Sequence, residues 1–258
     1  MNPLLSLLKK VKAFSRSIKT ACAELSEELG LTITKPVLIK FIKKLGYRWK
    51  RFRKSLKSKQ DAVIYEQQKA KLKQLIELHK EKYIDLYFAD ESSFNMEGCI
   101  PYGWQPKGEY IELTPSKTTS INVFGLMSLD NRLEAYTYKG SATSDLIIAF
   151  IDDFASGLKQ PTALVLDNAP VHHSYAFEEK IADWEELGLK ILFLPPYSPH
   201  LNPIEILWRK MKYEWLHFEH IDHQDELENQ VNQILYNFGN NYTISFKELE
   251  IQSVDFLI

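Results

Sequence analysis

The pattern of apolar and polar residues predicts two kinds of element between residues 83 and 240. Short apolar runs bounded by turn residues indicate strands, in YIDLYFAD (83–90), YIELTP (110–115), SINVFGLMSLD (120–130), RLEAYTYKG (132–140), TALVLD (162–167) and KILFLPPYSP (190–199). Helical spacing indicates amphipathic helices, in TSDLIIAFIDDFASGL (143–158), YAFEEKIADWEELG (175–188) and NPIEILWRKMKYEWLHF (202–218). Antiparallel strands followed by alternating helices and strands predict an α/β fold, a mixed sheet flanked by helices.

The first sixty residues show helical patterns of another kind. Ser17 is placed to cap a helix that runs to Leu29 and stops at Gly30, and Thr34 is placed to cap a second helix that ends at Gly46. This second helix has Pro36 in its first turn and an apolar stripe formed by Val37, Leu38, Phe41, Ile42 and Leu45. With a further helix over residues 3–14 and a wing over YRWKRFRK (47–54), the pattern predicts a helix-turn-helix or winged-helix module.

Charge divides the chain at the same place. Residues 1–60 hold 16 Lys and Arg and 3 Glu, a net charge of +13, whereas residues 61–258 have a net charge of −15. A basic segment of this density suits contact with the backbone phosphates of DNA more than with its bases. A solvated basic face is the alternative. The candidates for DNA contact are Lys40, Lys43, Lys44, Arg48, Lys50, Arg51, Arg53 and Lys54.

Composition excludes several classes of protein. A hydrophobic fraction of 45% over 258 residues supports a folded core and excludes a disordered chain. The two cysteines, Cys22 and Cys99, form no CxxC pair, which favours reduced thiols and a cytosolic setting. The apolar run in MNPLLSLLKKVK is too short for a signal peptide, and no stretch approaches the ~20 apolar residues of a membrane span.

Three acidic residues stand at positions where α/β proteins commonly have their active sites, at the carboxyl ends of strands and at the start of a helix. Asp90 and Asp167 end apolar runs, and Glu205 lies in the first turn of the helix for which Asn202 is the expected cap and Pro203 the first residue. Three carboxylates at one edge repel one another unless cations neutralise them. Oxygen ligands without thiolates suit Mg²⁺ or Mn²⁺, and two such ions about 4 Å apart serve phosphodiester displacement. The alternative for an aspartate at a strand end is a turn former.

Neighbouring polar residues compete for roles at this edge. Asp85 lies mid-strand, on the face opposite the first acid, and Glu91 is expected to cap a turn or hold a basic neighbour. Asn168 is a candidate for orienting a carboxylate or a metal-bound water without binding the metal itself, and His172 is a candidate for a similar indirect role or for facing a phosphate. For Asn168 the alternative is a turn former, and for His172 it is a plain surface residue. Zinc is disfavoured because the adjacent side chains of His172 and His173 diverge in extended backbone and no thiolate joins them.

Four segments occur in a fixed order: FADESSF (88–94), GWQPKGE (103–109), LVLDNAPVHHS (164–174) and LPPYSPHLNPIEILW (194–208). Together, with 37 residues between Asp167 and Glu205, they resemble the DDE endonuclease domain of bacterial insertion-sequence transposases of the mariner-like branch. The resemblance covers roughly residues 20–240. It implies a ribonuclease-H-like fold in which Asp90, Asp167 and Glu205 form the catalytic, metal-binding triad.

The same resemblance implies an activity and its partners. The expected enzyme is a metal-dependent DNA transposase that cleaves and transfers strands with Mg²⁺ or Mn²⁺, two ions being expected. Its partners would be transposon terminal inverted repeats and target DNA, bound by a homodimer in the bacterial cytoplasm at the nucleoid, with no membrane. The expected domains are a DNA-binding module over residues 1–57, a linker helix over 58–82, a catalytic domain over 83–240 and a tail over 241–258.

The sequence departs from the family pattern in two places. His200 stands where the PPYSP-x-LNP loop more often has Asp, which puts the hydrogen bonding of that loop in doubt. The family usually carries two helix-turn-helix units, and only the second is found here. The missing unit favours a catalytically silent DNA-binding remnant at element ends, which the three intact acids disfavour. A ribonuclease-H-like nuclease with another substrate is a third hypothesis, weakened by the basic module.

Overall fold

The computed structural model of the chain describes residues 17–48, 61–95, 120–217, 221 and 223–246. The helix predicted over residues 3–14, most of the predicted wing, the strand predicted over 110–115 and the chain beyond residue 246 lie outside these ranges. The chain forms two compact units, Met1–Ser55 and Leu56–Ile258.

The described part of the first unit consists of two helices, α1 (Ile18–Leu29) and α2 (Lys35–Lys44). As predicted, Ser17 caps α1 by accepting a hydrogen bond from the backbone N–H three residues on, and Gly30 ends the helix with a φ of 63°. Thr34 occupies the N-cap position of α2, but its side chain makes no capping hydrogen bond.

The two helices bury a small apolar cluster that consists of Ala21, Cys22, Leu25 and Leu38. The stripe predicted on α2 is therefore buried only in part. Leu38 is covered, whereas Val37 is 61% exposed and Phe41 is 40% exposed. The reason is geometric, because one neighbouring helix covers only one side of an α-helix.

The second unit is built on a five-stranded mixed sheet with the order β3-β2-β1-β4-β5. The strands are β1 (Asp85–Phe94), β2 (Ile121–Ser128), β3 (Leu133–Tyr138), β4 (Thr162–Leu166) and β5 (Leu189–Phe193). The first three strands pair antiparallel, while β1 with β4 and β4 with β5 pair parallel. The predicted mixed sheet is confirmed.

Strand β1 is longer than the sequence pattern predicts, so Asp90 lies within the strand and not at its end. The antiparallel ladder with β2 continues to the pair Phe94–Ile121, whereas the parallel ladder with β4 stops at the pair Phe88–Val165. Extending the parallel register by two residues brings Asp90 level with Asp167. Because neighbouring strands lie about 4.8 Å apart, the two acids are brought to adjacent positions.

Helices cover both faces of the sheet. One core cluster includes Phe88 and Phe94 of β1 and the other includes Tyr87 and Ala89, as the two-residue alternation of a strand requires. The helices that pack on the first face are α3 (Ala62–Lys80), α6 (Ile204–Lys210) and α7 (Gln224–Tyr236). Those on the second are α4 (Ser144–Ser156) and α5 (Tyr175–Glu186).

Helix α3 corresponds to the helix predicted as a linker. Asp61 caps it by accepting hydrogen bonds from the N–H groups of Val63 and Ile64 at 2.8 and 3.1 Å. Leu72 and Ile76 on its inner side are buried in the first core cluster. The helix is therefore an integral part of the second unit's core.

Helix α6 begins one residue later than predicted. Pro203 occupies the N-cap position, and after Lys210 the helix continues as a π-helical turn over Met211–Trp215. Asn202, the predicted cap, makes no capping hydrogen bond to α6 through its side chain. Among the helices of the described residues, none is both long and apolar enough to cross a membrane.

Candidate active site

The three predicted acids line one cavity of the second unit, with a volume of about 510 Å³. The sheet contributes Asp90 and the residues that follow β4, and the N-terminus of α6 contributes Glu205. Residues 194–199, the loop after β5, form the remaining wall. The described residues that line the cavity include three carboxylates and neither lysine nor arginine.

Asp90 is the most deeply buried of the three acids. Its Oδ2 accepts a hydrogen bond of 3.0 Å from the indole Nε1–H of Trp208. Burial raises the pKa of Asp90 well above its ordinary value, and the nearby charges of Glu205, Glu91 and Asp167 raise it further. The negative charge on this carboxylate is thus unfavourable in the protein alone and would be stabilised by a bound cation.

Asp167 follows β4 directly and has a different environment. Its Oδ1 accepts a hydrogen bond from the N–H of Ala169 at 3.0 Å and lies 3.1 Å from Nδ1 of His172. Burial works to raise the pKa of Asp167, but the hydrogen bonds from His172 and Ala169 outweigh it and hold the pKa below its ordinary value. Asp167 is therefore ionised and fixed in position.

His172 lies in a short 3₁₀ turn, Pro170–His173, and its side chain is buried. Its Nε2 lies 3.7 Å from Oε1 of Glu91, an ion-pair distance too long for a hydrogen bond. Burial lowers the pKa of His172, yet the carboxylates of Asp167 and Glu91 overcome this and raise the pKa to about 9. The structure thus places His172 against Asp167 and beside Glu91, and the burial of its side chain contradicts the alternative of a plain surface residue.

Glu205 lies in the first turn of α6. Burial raises its pKa above the ordinary value, and the Lys212 ammonium counteracts that rise while the Asp167 carboxylate adds to it. Lys212 lies two residues beyond the end of α6, in the π-helical segment, with its Nζ 5.4 Å from the ring centroid of Phe94. Lys212 was not among the residues that sequence analysis singled out.

Asn202 has a role that sequence analysis missed. Its Nδ2 donates a hydrogen bond of 3.1 Å to the carbonyl oxygen of Ala89, the residue before Asp90. The side chain lines the cavity and is 2% exposed, and its Oδ1 has no hydrogen-bond partner among the described residues. The Asn202 amide is engaged in this buried contact with β1 and does not cap α6.

Of the other polar residues that sequence analysis singled out, Asn168 lies in the cavity, whereas Asp85 and His200 do not line it. Asn168 lines the cavity, and its Oδ1 is hydrogen-bonded to Nε2 of His173. Asp85 lies outside the cavity lining and forms a bidentate pair with Arg132. His200, where the family loop more often has Asp, is hydrogen-bonded through Nε2 to the hydroxyl of Tyr65 on α3 at 3.0 Å.

The predicted DNA-binding residues belong to the first unit. Lys40, Lys43, Lys44 and Arg48 are exposed, and Arg48 donates hydrogen bonds to the carbonyl oxygens of Lys43 and Tyr47 at the end of α2. The other four predicted residues lie outside the described ranges: Lys50, Arg51, Arg53 and Lys54.

The donor chemistry of the cavity fits a hard divalent cation. Carboxylate oxygens from three elements and the unpartnered amide oxygen of Asn202 are ligands that Mg²⁺ and Mn²⁺ accept. In the part of the chain that the structure describes, no group of three or more His, Cys, Asp or Glu side chains is gathered closely enough to hold a metal ion.

Comparison with solved structures identifies the fold. The Mos1 transposase paired-end complex with left transposon end matches with a TM-score of 0.63 and 15% identity, over 90% of this chain and 70% of that chain. The Mos1 mariner paired end complex with Mn matches with a TM-score of 0.60 and 15% identity, over 89% and 70%. At this identity the likeness concerns the fold, and the predicted ribonuclease-H-like architecture is confirmed.

Comparison at the level of sequence identifies the family. No curated protein sequence matches the chain. The family model described as DDE superfamily endonuclease matches residues 85–228, which include the three acids and more than half of the chain. The expected class of enzyme, one that cleaves or joins polynucleotides, is thereby confirmed. The chain belongs to the DDE superfamily endonucleases.

Proposed function

We propose that the chain is a metal-dependent DNA transposase in which Asp90, Asp167 and Glu205 form the catalytic triad. The observation that carries the proposal is the convergence of these three acids, from two strands and one helix, on a single cavity in a member of the DDE endonucleases. The raised pKa values of Asp90 and Glu205 support it, since burial makes the negative charge of both carboxylates unfavourable and a bound cation would stabilise that charge.

The three carboxylates would hold the metal, which we propose to be two Mg²⁺ or Mn²⁺ ions. Bound there, the ions would lower the pKa of the attacking hydroxyl and neutralise charge on the phosphate in the transition state. The solved Mos1 complexes include one with Mn and one with Mg, which supports the choice of metal.

The protein's own residues prepare the site for this chemistry. Ala169 and His172 hold the Asp167 carboxylate in one orientation, and Asn202 anchors the start of α6 to the strand that carries Asp90. His172 carries positive charge at neutral pH, which partly offsets the negative charge of Asp167 and Glu91. We propose that Asn168 and His172 orient carboxylates or water without binding the metal themselves.

The proposed reaction has two displacements at the same centre. Water attacks the phosphorus at the transposon end, the bond between phosphorus and the 3′ oxygen breaks, and a 3′-hydroxyl is released. That hydroxyl then attacks a phosphodiester of target DNA and displaces the 3′ oxygen of the target strand. No covalent bond between protein and DNA is required.

The first unit would bind the DNA. Lys40, Lys43, Lys44 and Arg48 present positive charge, and we propose that they contact phosphates of the terminal inverted repeats together with Lys50, Arg51, Arg53 and Lys54. A homodimer that holds two transposon ends, acting in the cytoplasm at the nucleoid, is part of the same proposal.

A cleavage assay on DNA that carries the element ends tests the proposal. We expect the full chain to cut these ends with Mg²⁺ and not with EDTA, and we expect Asp90→Asn to abolish cutting. Asp85→Asn is the matched control, because Asp85 lies on the same strand but is paired with Arg132 outside the cavity. Specific binding to the ends without metal-dependent cutting would instead identify a silent DNA-binding remnant.

A further inference from the structure

Trp208 and Asp90 form a contact across 118 positions of sequence. The indole N–H is the only hydrogen-bond donor of a tryptophan side chain, and here it is directed at Oδ2 of Asp90 at 3.0 Å. Trp208 is 3% exposed, so the donor of this hydrogen bond is buried, while its acceptor Asp90 lines the cavity. Such a bond to a carboxylate fixes the rotation of that carboxylate about its own axis.

The opposite strand makes room for this contact. Gly125 on β2 pairs directly with Asp90, and a Cβ atom at Gly125 would lie 2.7 Å from Cη2 of Trp208. Ile204 borders the same space, with its Cδ1 3.2 Å from that Cβ position, and Phe94 makes an edge-to-face contact with the indole at a centroid distance of 6.1 Å. The indole can therefore reach Asp90 only because residue 125 has no side chain.

Trp208 also shares a helix face with the third acid. It lies three residues after Glu205 on α6, so the two side chains project from neighbouring positions. The same segment is tied to β1 a second time through Asn202 and the carbonyl oxygen of Ala89. Two hydrogen bonds, one to the Asp90 carboxylate and one to the carbonyl oxygen of the preceding residue, thus tie the segment that carries Glu205 to β1.

We propose that Trp208 is a positioning residue for Asp90, and that Gly125 exists at its position to admit the indole ring. The inference rests on the proposed function, because Asp90 is a metal ligand only within that function. Groups that orient a metal-binding side chain typically contribute about 10- to 100-fold to metal affinity or activity. Trp208 acts through Asp90 and is not expected to touch DNA or metal.

Trp208→Phe in the full chain is the principal test, since it removes the N–H donor and keeps most of the ring. The chain provides a matched control in Trp184, which is fully buried and whose Nε1–H donates to Oδ1 of Asp152 at 2.7 Å on the other face of the sheet. We expect Trp208→Phe to weaken Mn²⁺ binding about 10-fold or more, measured without DNA by the electron paramagnetic resonance of free Mn²⁺. Trp184→Phe should bind Mn²⁺ like the wild type, although both variants lose a buried hydrogen bond.

Gly125→Ala provides a second test that leaves the donor in place. The added methyl group should displace the indole and weaken Mn²⁺ binding in the same direction, with little further loss when combined with Trp208→Phe. If Trp208→Phe does not fold, Gly125→Ala decides alone. Mn²⁺ binding at the wild-type level in a folded Trp208→Phe or Gly125→Ala variant, alongside its loss in Asp90→Asn, would overturn the inference and leave the proposed function intact. Wild-type Mn²⁺ binding and cleavage in Asp90→Asn would instead refute the proposed function itself.

Discussion

Asp85 and Asp90 lie on the same strand, but removal of their charges should change the stability of the metal-free protein differently. Loss of the Asp85 charge should lower the free energy of unfolding, whereas loss of the Asp90 charge should not. Both oxygens of the Asp85 carboxylate accept from the Arg132 guanidinium, one of them from Nη1 at 3.1 Å, and that guanidinium also lies 5.2 Å from the ring centroid of Tyr87. The Asp85 side chain is 19% exposed and that of Arg132 is 44% exposed. A charged hydrogen-bonded pair contributes about 1.5–3 kcal/mol, and solvent screening at this exposure reduces the expectation to about 1–2 kcal/mol.

The pH dependence of this contribution follows from the pKa of Asp85. The hydrogen bond from Arg132 holds that pKa below its ordinary value of 3.8, so the folded protein binds the proton less readily than the unfolded chain. The stabilisation is therefore fully present above the ordinary value and is lost as the pH falls through the lower pKa of the folded state. Asp90 has a raised pKa, so Asp90→Asn removes an unfavourable charge and should leave metal-free stability unchanged or higher.

Urea unfolding of the full chain at pH 7, 5 and 3 measures both effects. We expect Asp85→Asn to lower the free energy of unfolding by about 1–2 kcal/mol at pH 7 and pH 5, with a smaller deficit at pH 3, and to cleave DNA like the wild type. An undiminished deficit at pH 3, or no deficit at pH 7, would show that the ion pair is not the source of the stability. Loss of cleavage in Asp85→Asn with normal cleavage in Asp90→Asn would reverse the roles assigned to the two residues.

Three further predictions test the triad, the DNA-binding surface and the core. Gel assays with Mg²⁺ should show that each substitution of an acid abolishes most cleavage and that combinations cost little more, because the acids act as one unit; wild-type rates in Asp90→Asn, Asp167→Asn and Glu205→Gln would contradict this. A second variant replaces four basic residues by alanine: Lys43, Lys44, Arg51 and Arg53. Fluorescence anisotropy at several salt concentrations should show that this variant binds DNA more weakly and that its affinity depends less steeply on salt. An unchanged salt dependence would exclude these residues as phosphate contacts. Leu72→Ala should lower the free energy of unfolding by about 2–5 kcal/mol because α3 contributes to the core, and a value equal to the wild type would make α3 a mere linker.

The sequence pattern located the strands and helices of the second unit, but it did not locate all of their ends. Strand β1 was expected to stop at Asp90, since the apolar run stops there, yet it continues to Phe94. Pairing with β2 supports the polar stretch after Asp90, and such pairing depends on partners 27 to 33 positions away in sequence. Likewise, the inner side of α3 becomes core only because β1 and α6 are brought beneath it by the fold.

The candidate site divides in the same way. Asp167 and Glu205 could be singled out because one follows a strand directly and the other lies in the first turn of a helix, whereas Asp90 was expected at a strand end and lies inside β1. The order and separation of the three acids along the chain resemble a known family. Trp208, Gly125 and Asn202 were not predicted, because their importance arises from contacts between segments more than 70 positions apart. One signal was present for Trp208, which stands three positions after Glu205 and so on the same side of a helix.

The mixed topology of the sheet explains why the cavity lies where it does. Up to Phe88, strand β1 has β4 as a parallel neighbour, and beyond that point only the antiparallel neighbour β2 continues among the described residues. The chain after β4 turns away at Asp167, which leaves a gap beside Asp90 that the start of α6 and the loop after β5 enclose. A fully parallel sheet would have its strands end together, with the acids at its rim. Here β1 and β2 continue together past Asp90 and form a wall behind it, and β2 supplies Gly125 at the paired position. The Asp90 carboxylate is therefore largely buried and still borders the cavity.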